Sequence, residues 1–204
     1  MESKKTIKAL LTAAPEKEEG AAVIEAPPPE LRAMSLYGDL EQERCADVIH
    51  SMLYLRETGL DQFTGACAPI DFYISTWGGS AADMFAIYDV MRQIKKDCDI
   101  NTTGLGKVMS AGVLLLAAGT KGKRKIGKNC RVMIHGVVSG QHGNLLDLEN
   151  EMEEAKWTQK RYVESLAGET KMTKRQIQKL MEKKINVYFD AKEAVKLGIA
   201  DEVI

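Results

Sequence analysis

The stretch from Ile100 to Gly119 constrains the fold of this chain more than any other. Ile100-Asn101-Thr102-Thr103-Gly104-Leu105 is short, β-branched and bounded by glycine, so it reads as a strand. Gly106 to Gly112 turns the chain and carries Ser110. Behind the turn, Val113 to Ala118 has only small and aliphatic side chains, and Gly119 stands at a helix C′ position. Such a run makes a buried helix. Ser110 therefore sits where a strand turns into that helix. The first N–H groups of a helix have no internal partner, and that end favours negative charge. A serine hydroxyl beside the free N–H of Ala111 suits acyl transfer: the oxygen attacks a carbonyl and the N–H receives the oxyanion. Serine is also an ordinary N-cap, and on this stretch alone that role explains Ser110 more economically.

The remaining elements alternate in type. Ala33 to Tyr37 reads as a strand, turned by Gly38-Asp39, with Asp39 and Gln42 as a capping box. The helix that follows carries Cys45, Val48, Ile49, Met52, Leu53 and Leu55 on its apolar face, and Gly59 ends it. Asp61 to Pro69 is a polar loop and Ile70 to Ser75 a strand, broken by Gly78-Gly79. Ala81 opens a helix with Met84, Ile87, Val90, Met91 and Ile94 on one face. Beyond the central unit, Lys121 to Lys128 is a basic turn, read as a solvated loop. Cys130 to His135 is a strand, and Gly136 to Gly143 is an extended or mobile segment. Asn144 to Ala167 is a long helix ended by Gly168. Thr173 with Gln176 and Asp190 with Glu193 cap two further helices, the second ended by Gly198, and Ile199 to Ile204 is a closing strand. Strands alternating with helices imply an α/β domain with largely parallel pairing. In such folds ligands bind at strand-to-helix turns, which here are Gly78-Gly79 and Ser110.

Composition bounds the rest. Residues 1–31 are rich in Ala, Glu, Lys and Pro, with the triplet Pro27-Pro28-Pro29, and read as a flexible tail before a domain of residues 32–204. A net charge of -1 excludes a general electrostatic case for nucleic acid or an anionic membrane. No apolar run reaches transmembrane length, and Lys8 with Glu16, Glu18 and Glu19 argues against a secretory signal, so the cytoplasm is expected. Cys45, Cys67, Cys98 and Cys130 lack paired spacing and read as thiols of a reducing compartment, with no metal site.

His135 closes a strand and precedes Gly136, so its ring need not be buried. With Ser110, Ala111 and the Gly78-Gly79 turn it completes a parts list for serine hydrolysis: nucleophile, base and oxyanion donors. His50, in an amphipathic helix, and His142, in a glycine-rich loop, are rivals without a comparable setting.

These motifs, in this order, resemble the proteolytic subunit of the Clp protease, the ClpP family of serine peptidases. The likeness is carried by Tyr73 to Ser80, Ala86 to Met91, Gly106 to Gly119, Lys121 to Arg124, Arg131 to His135, Ala191 to Val195 and Leu197 to Asp201, and covers roughly residues 33–204. It implies a crotonase-like α/β fold of βαβ units in which the long helix projects as a handle. It also implies heptameric rings stacked as a tetradecamer, active sites facing an enclosed chamber, protein and peptide substrates, and an ATP-driven unfoldase as partner. Ser110 is implied as nucleophile, His135 as general base, and the N–H groups of Gly79 and Ala111 as the oxyanion hole. No cofactor is implied, since hydrolysis needs only water. The chain departs from the pattern in four places. Where the family has an aspartate as third catalytic residue, counting back from Ala191 reaches Asn186, followed by Val187. Trp77 replaces the proline before the Gly-Gly turn, the Asp61 to Pro69 loop is longer, and the segment that forms the axial loops is not recognisable in residues 1–31. These departures leave two further expectations open: a weakly active structural subunit in a mixed ring beside a paralogous subunit, or a processing protease outside the Clp system.

Overall fold

The structure, a computed structural model, describes residues 31–140, 142–182 and 185–204. The tail expected over residues 1–31 lies, except for Leu31, outside the described residues. Residues Arg32–Ile204 form one compact unit.

Its strands are β1 (Ala33–Tyr37), β2 (Ile70–Thr76), β3 (Ile100–Met109), β4 (Lys125–Ile126), β5 (Arg131–Ile134), β6 (Val187–Phe189) and β7 (Glu202–Val203). Its helices are α1 (Gln42–Gly59), α2 (Ala81–Ile94), α3 (Ala111–Ala117), α4 (Leu145–Glu169), α5 (Lys174–Glu182) and α6 (Ala191–Leu197). Among the described strands the pairing is parallel along β1-β2-β3-β4-β7 and between β3 and β5, and antiparallel between β5 and β6. The α/β expectation holds. In β2, Ile70, Phe72 and Ile74 are buried while Asp71 and Tyr73 face outward, the period-2 pattern of a half-covered sheet. In α2, Met84, Ile87, Tyr88, Met91 and Ile94 are buried at helical spacing. All of α3 is buried.

The sheet divides at Gly106, and that division sets the site. Ile74 pairs with Gly104 but Thr76 pairs with Val108, so β3 bulges between these points, where Gly106 has φ +64°. Before the bulge β3 carries β4, with Thr103 beside Lys125; after it β3 carries β5, with Met109 beside Met133. The strand thus runs on to Met109, four residues past the expected end at Leu105. The C-terminal end of β5 is thereby delivered next to the C-terminal end of β3.

Several local expectations are corrected by tertiary contacts. The cap of α1 is Glu41, without a side-chain bond, and not Asp39. Leu40 is bridged to Gly79, which keeps the chain extended up to that point. Gly168 does not end α4, which continues to Glu169. There the orphan carbonyl of Glu169 accepts from Arg124 Nη1 at 2.7 Å and from Lys121 Nζ, a cap supplied from elsewhere in the fold. The basic turn is not wholly solvated: Arg124 is 3% exposed and pairs with Asp201. The closing strand shrinks to Glu202–Val203. Gly119 keeps its place after α3 without a left-handed φ; a Cβ there would lie 2.3 Å from Thr102 Oγ1, so close packing demands the glycine. The boxes Thr173/Gln176 and Asp190/Glu193 form as expected, and Gly198 caps α6 with φ +76°.

Candidate active site

Ser110 follows β3 directly, and its N–H donates to Met133 O of β5 at 2.8 Å. Its backbone has φ +52° and ψ −121°, the only positive φ at a non-glycine among the described residues. Such a conformation costs about 1–3 kcal/mol and persists only where surroundings enforce it. The side chain makes no capping bond to α3, so the N-cap explanation of this serine does not account for its hydroxyl. Instead Ser110 Oγ lies 2.8 Å from His135 Nε2.

His135 leaves β5 one residue after Ile134. Burial lowers its pKa below the ordinary 6.5, because desolvation disfavours the imidazolium. The ring is therefore neutral near pH 7 and able to accept a proton from the serine hydroxyl. His50 lines a separate cleft between β1 and α1, His142 is exposed, and neither bonds Ser110.

The Gly78-Gly79 turn packs directly on the serine. A Cβ on Gly78 would lie 2.6 Å from Ser110 Cβ, and both glycines have positive φ, +107° and +141°. Gly78 O and Ser80 N are bonded to Leu40, and Ser80 caps α2 through Asp83 N. Among the described residues the N–H groups of Gly79 and Ala111 donate to nothing, so both can serve an incoming anion.

The register of β5 and β6 pairs Ile134 with Val187, which places Asn186 across from His135 in continuation of the ladder. Asn186 is exposed, and among the described residues no hydrogen bond joins it to the ring. Thus the structure brings Ser110, His135, Gly79 and Ala111 together and sets Asn186 alongside, without closing a triad.

A cavity of about 390 Å³ opens at this point, lined by Ser110, His135, Trp77, Met84, Val138 and Tyr162 among others. Sequence reasoning missed Tyr162, whose hydroxyl donates to Ser110 O at 3.0 Å. Its signal was the core spacing of Tyr162, Val163 and Leu166 on α4, since a buried tyrosine hydroxyl needs a partner. Among the described residues no group of three or more His, Cys, Asp or Glu is placed to hold a metal ion, and no helix is long and apolar enough to cross a membrane.

A hydroxyl held against a neutral imidazole, at a strained strand-to-helix turn beside two unengaged N–H groups, can perform acyl transfer. The family model of the Clp protease matches residues 27–204, and the chain belongs to that family. The α/β fold described above is consistent with the family's fold.

Proposed function

We propose that this chain is a serine endopeptidase, the proteolytic subunit of a ring-shaped, ATP-dependent Clp-like protease that cleaves unfolded proteins. The observation that carries the reading is the 2.8 Å contact between Ser110 Oγ and His135 Nε2 at the strained turn.

In this reading Ser110 Oγ attacks the carbonyl carbon of the scissile bond while His135 Nε2 takes its proton. The carbonyl oxygen becomes an oxyanion and accepts from the N–H groups of Gly79 and Ala111, donors of a kind worth about 10²–10³ each in turnover. The C–N bond then breaks as His135 returns the proton to the leaving amine. Water, activated by the same histidine, releases the acyl group from Ser110 by the reverse sequence. Proton acceptance at Nε2 requires the hydrogen on Nδ1, and in this reading Asn186 would orient the ring by accepting that hydrogen at its Oδ1.

The chain would assemble into heptameric rings stacked as a tetradecamer and receive substrate from an ATP-dependent unfoldase in the cytoplasm. In support, residues 142–154 are all exposed, and the exposed face of α4 includes Leu145, Leu146, Leu148, Met152 and Trp157. So much apolar surface on a solvated helix calls for a partner.

A second reading is favoured by the open Asn186–His135 contact: a weakly active structural subunit that completes a mixed ring beside an active paralogue. A processing protease working outside the Clp system is the remaining alternative. Purified chain assayed with a short fluorogenic peptide separates the first two. Ser110→Ala should abolish both hydrolysis and labelling by a serine-directed phosphonate while leaving assembly intact. Labelling that persists in the variant would place the nucleophile elsewhere. Co-purification with an unfoldase separates the first reading from the third.

A further inference from the structure

The carbonyl of Ser110 and the N–H of Ala111 belong to one peptide unit. A trans peptide is planar, so its C=O and N–H point in opposite directions and move together. Whatever fixes the carbonyl of Ser110 also aims the N–H of Ala111. Among the described residues two groups hold that carbonyl: Val113 N–H at 3.0 Å, within the first turn of α3, and Tyr162 O–H at 3.0 Å, from α4. Only the second comes from another element. It acts on the residue that most needs holding, since Ser110 is the one non-glycine with a positive φ among the described residues.

We propose that Tyr162 is a positioning residue for catalysis, which locks the Ser110–Ala111 peptide so that the Ala111 N–H points at the developing oxyanion. The inference rests on the serine-peptidase reading above. Three features suit Tyr162 to the task. The residue is buried and lines the cavity beside the nucleophile, so its hydroxyl is held close to the reacting centre. Burial pushes its phenol far above the ordinary tyrosine value, so it remains a donor across the working pH range. Finally, a bond donated to a carbonyl polarises the whole amide and strengthens the N–H on its other side. Tyr162 therefore both orients the oxyanion donor and improves it. The neighbouring turn of α4 steadies the opposite wall, where Gln159 Oε1 accepts from Val137 N–H at 3.1 Å, two residues past His135.

The test is Tyr162→Phe in the full chain, which keeps the ring and removes one hydroxyl. Turnover of a fluorogenic peptide is measured per active site, with sites counted by stoichiometric phosphonate labelling. The expected result is a kcat lower by roughly five- to ten-fold, the range of one hydrogen bond, with KM nearly unchanged. Affinity for a peptide boronate, whose tetrahedral adduct occupies the oxyanion position, should fall by the same factor. The acid limb of the pH profile should not move, because His135 keeps its surroundings. Equal kcat, or a fall in kcat without loss of boronate affinity, overturns the proposal. Should the phenylalanine chain fail to fold, 3-fluorotyrosine at 162 keeps ring and hydroxyl and makes a stronger donor; kcat then rises, and an unchanged kcat overturns the proposal. Ser110→Ala serves as the parallel arm. If it retains hydrolysis, the peptidase reading itself fails; if it is inactive while Tyr162→Phe is unimpaired, only the role of Tyr162 fails.

Discussion

Replacing Asn186 by aspartate tests how the base of the site is supported. The β5–β6 register sets residue 186 across from His135, and in the proposed reading a carboxylate there would reach the imidazole nitrogen that Ser110 does not use. An amide oxygen can fix the tautomer of His135 but cannot balance the positive charge that forms as the serine loses its proton. A carboxylate does both. Two unit charges about 4 Å apart attract by about 1 kcal/mol in water and about 4 kcal/mol at the effective dielectric of a protein surface. Asn186 is exposed, so screening places the gain near the lower end, about 1.4 kcal/mol, or roughly ten-fold in rate. The same attraction raises the pKa of His135 by about one unit. In the native chain burial lowers this pKa, so the proposed activity should be present above a limb lying below pH 6.5 and be lost as pH falls through it. Asn186→Asp should therefore show two linked changes in a kcat/KM profile with a fluorogenic peptide. The plateau near pH 8 rises about ten-fold, and the acid limb moves up about one unit, so that the two profiles converge on the acid side. A plateau that is unchanged or lower, with an unmoved limb, would refute the pairing of residue 186 with His135.

Three other outcomes are expected. Asp201→Asn removes the charge partner of the buried Arg124 guanidinium and should cost about 3 kcal/mol, visible in chemical denaturation. Arg124 holds Asp201 at about 2, so its contribution is full above the ordinary carboxylate range and lost as pH falls toward 2; the variant's stability should lack that step. Ser110→Gly should be about 1 kcal/mol more stable than Ser110→Ala, because glycine tolerates φ +52°, with both inactive; equal melting curves would deny that the turn is strained. In gel filtration the native chain should elute far above its 22.5 kDa mass, and Leu146→Glu with Met152→Glu should shift it toward the monomer. A native monomer at micromolar concentration would count against ring assembly.

Where an element's cause is local, residue pattern alone reveals it. The stripe of α2 and the capping boxes before α5 and α6 depend on neighbours three to seven positions away, and those spacings are visible in a string of letters. The misplaced features share the opposite character. Asp39 has the spacing of a cap, but a bridge from Leu40 to a glycine 39 residues further on decides where α1 begins. Gly106 looks like a strand breaker, but parallel partners on both sides hold β3 together through it. Arg124 reads as one more surface cation until Asp201 closes over it. The candidate site stands between these cases. That Ser110 and His135 end strands is a local fact. That those two strand ends meet follows from the division of the sheet at Gly106, which no window of sequence contains. Tyr162 is further still from legibility, since its partner is a backbone carbonyl 52 residues earlier, and carbonyls carry no sequence signature. The chemistry proposed at Ser110 thus rests on a side chain any reader would mark and on a peptide orientation visible only once α4 has packed.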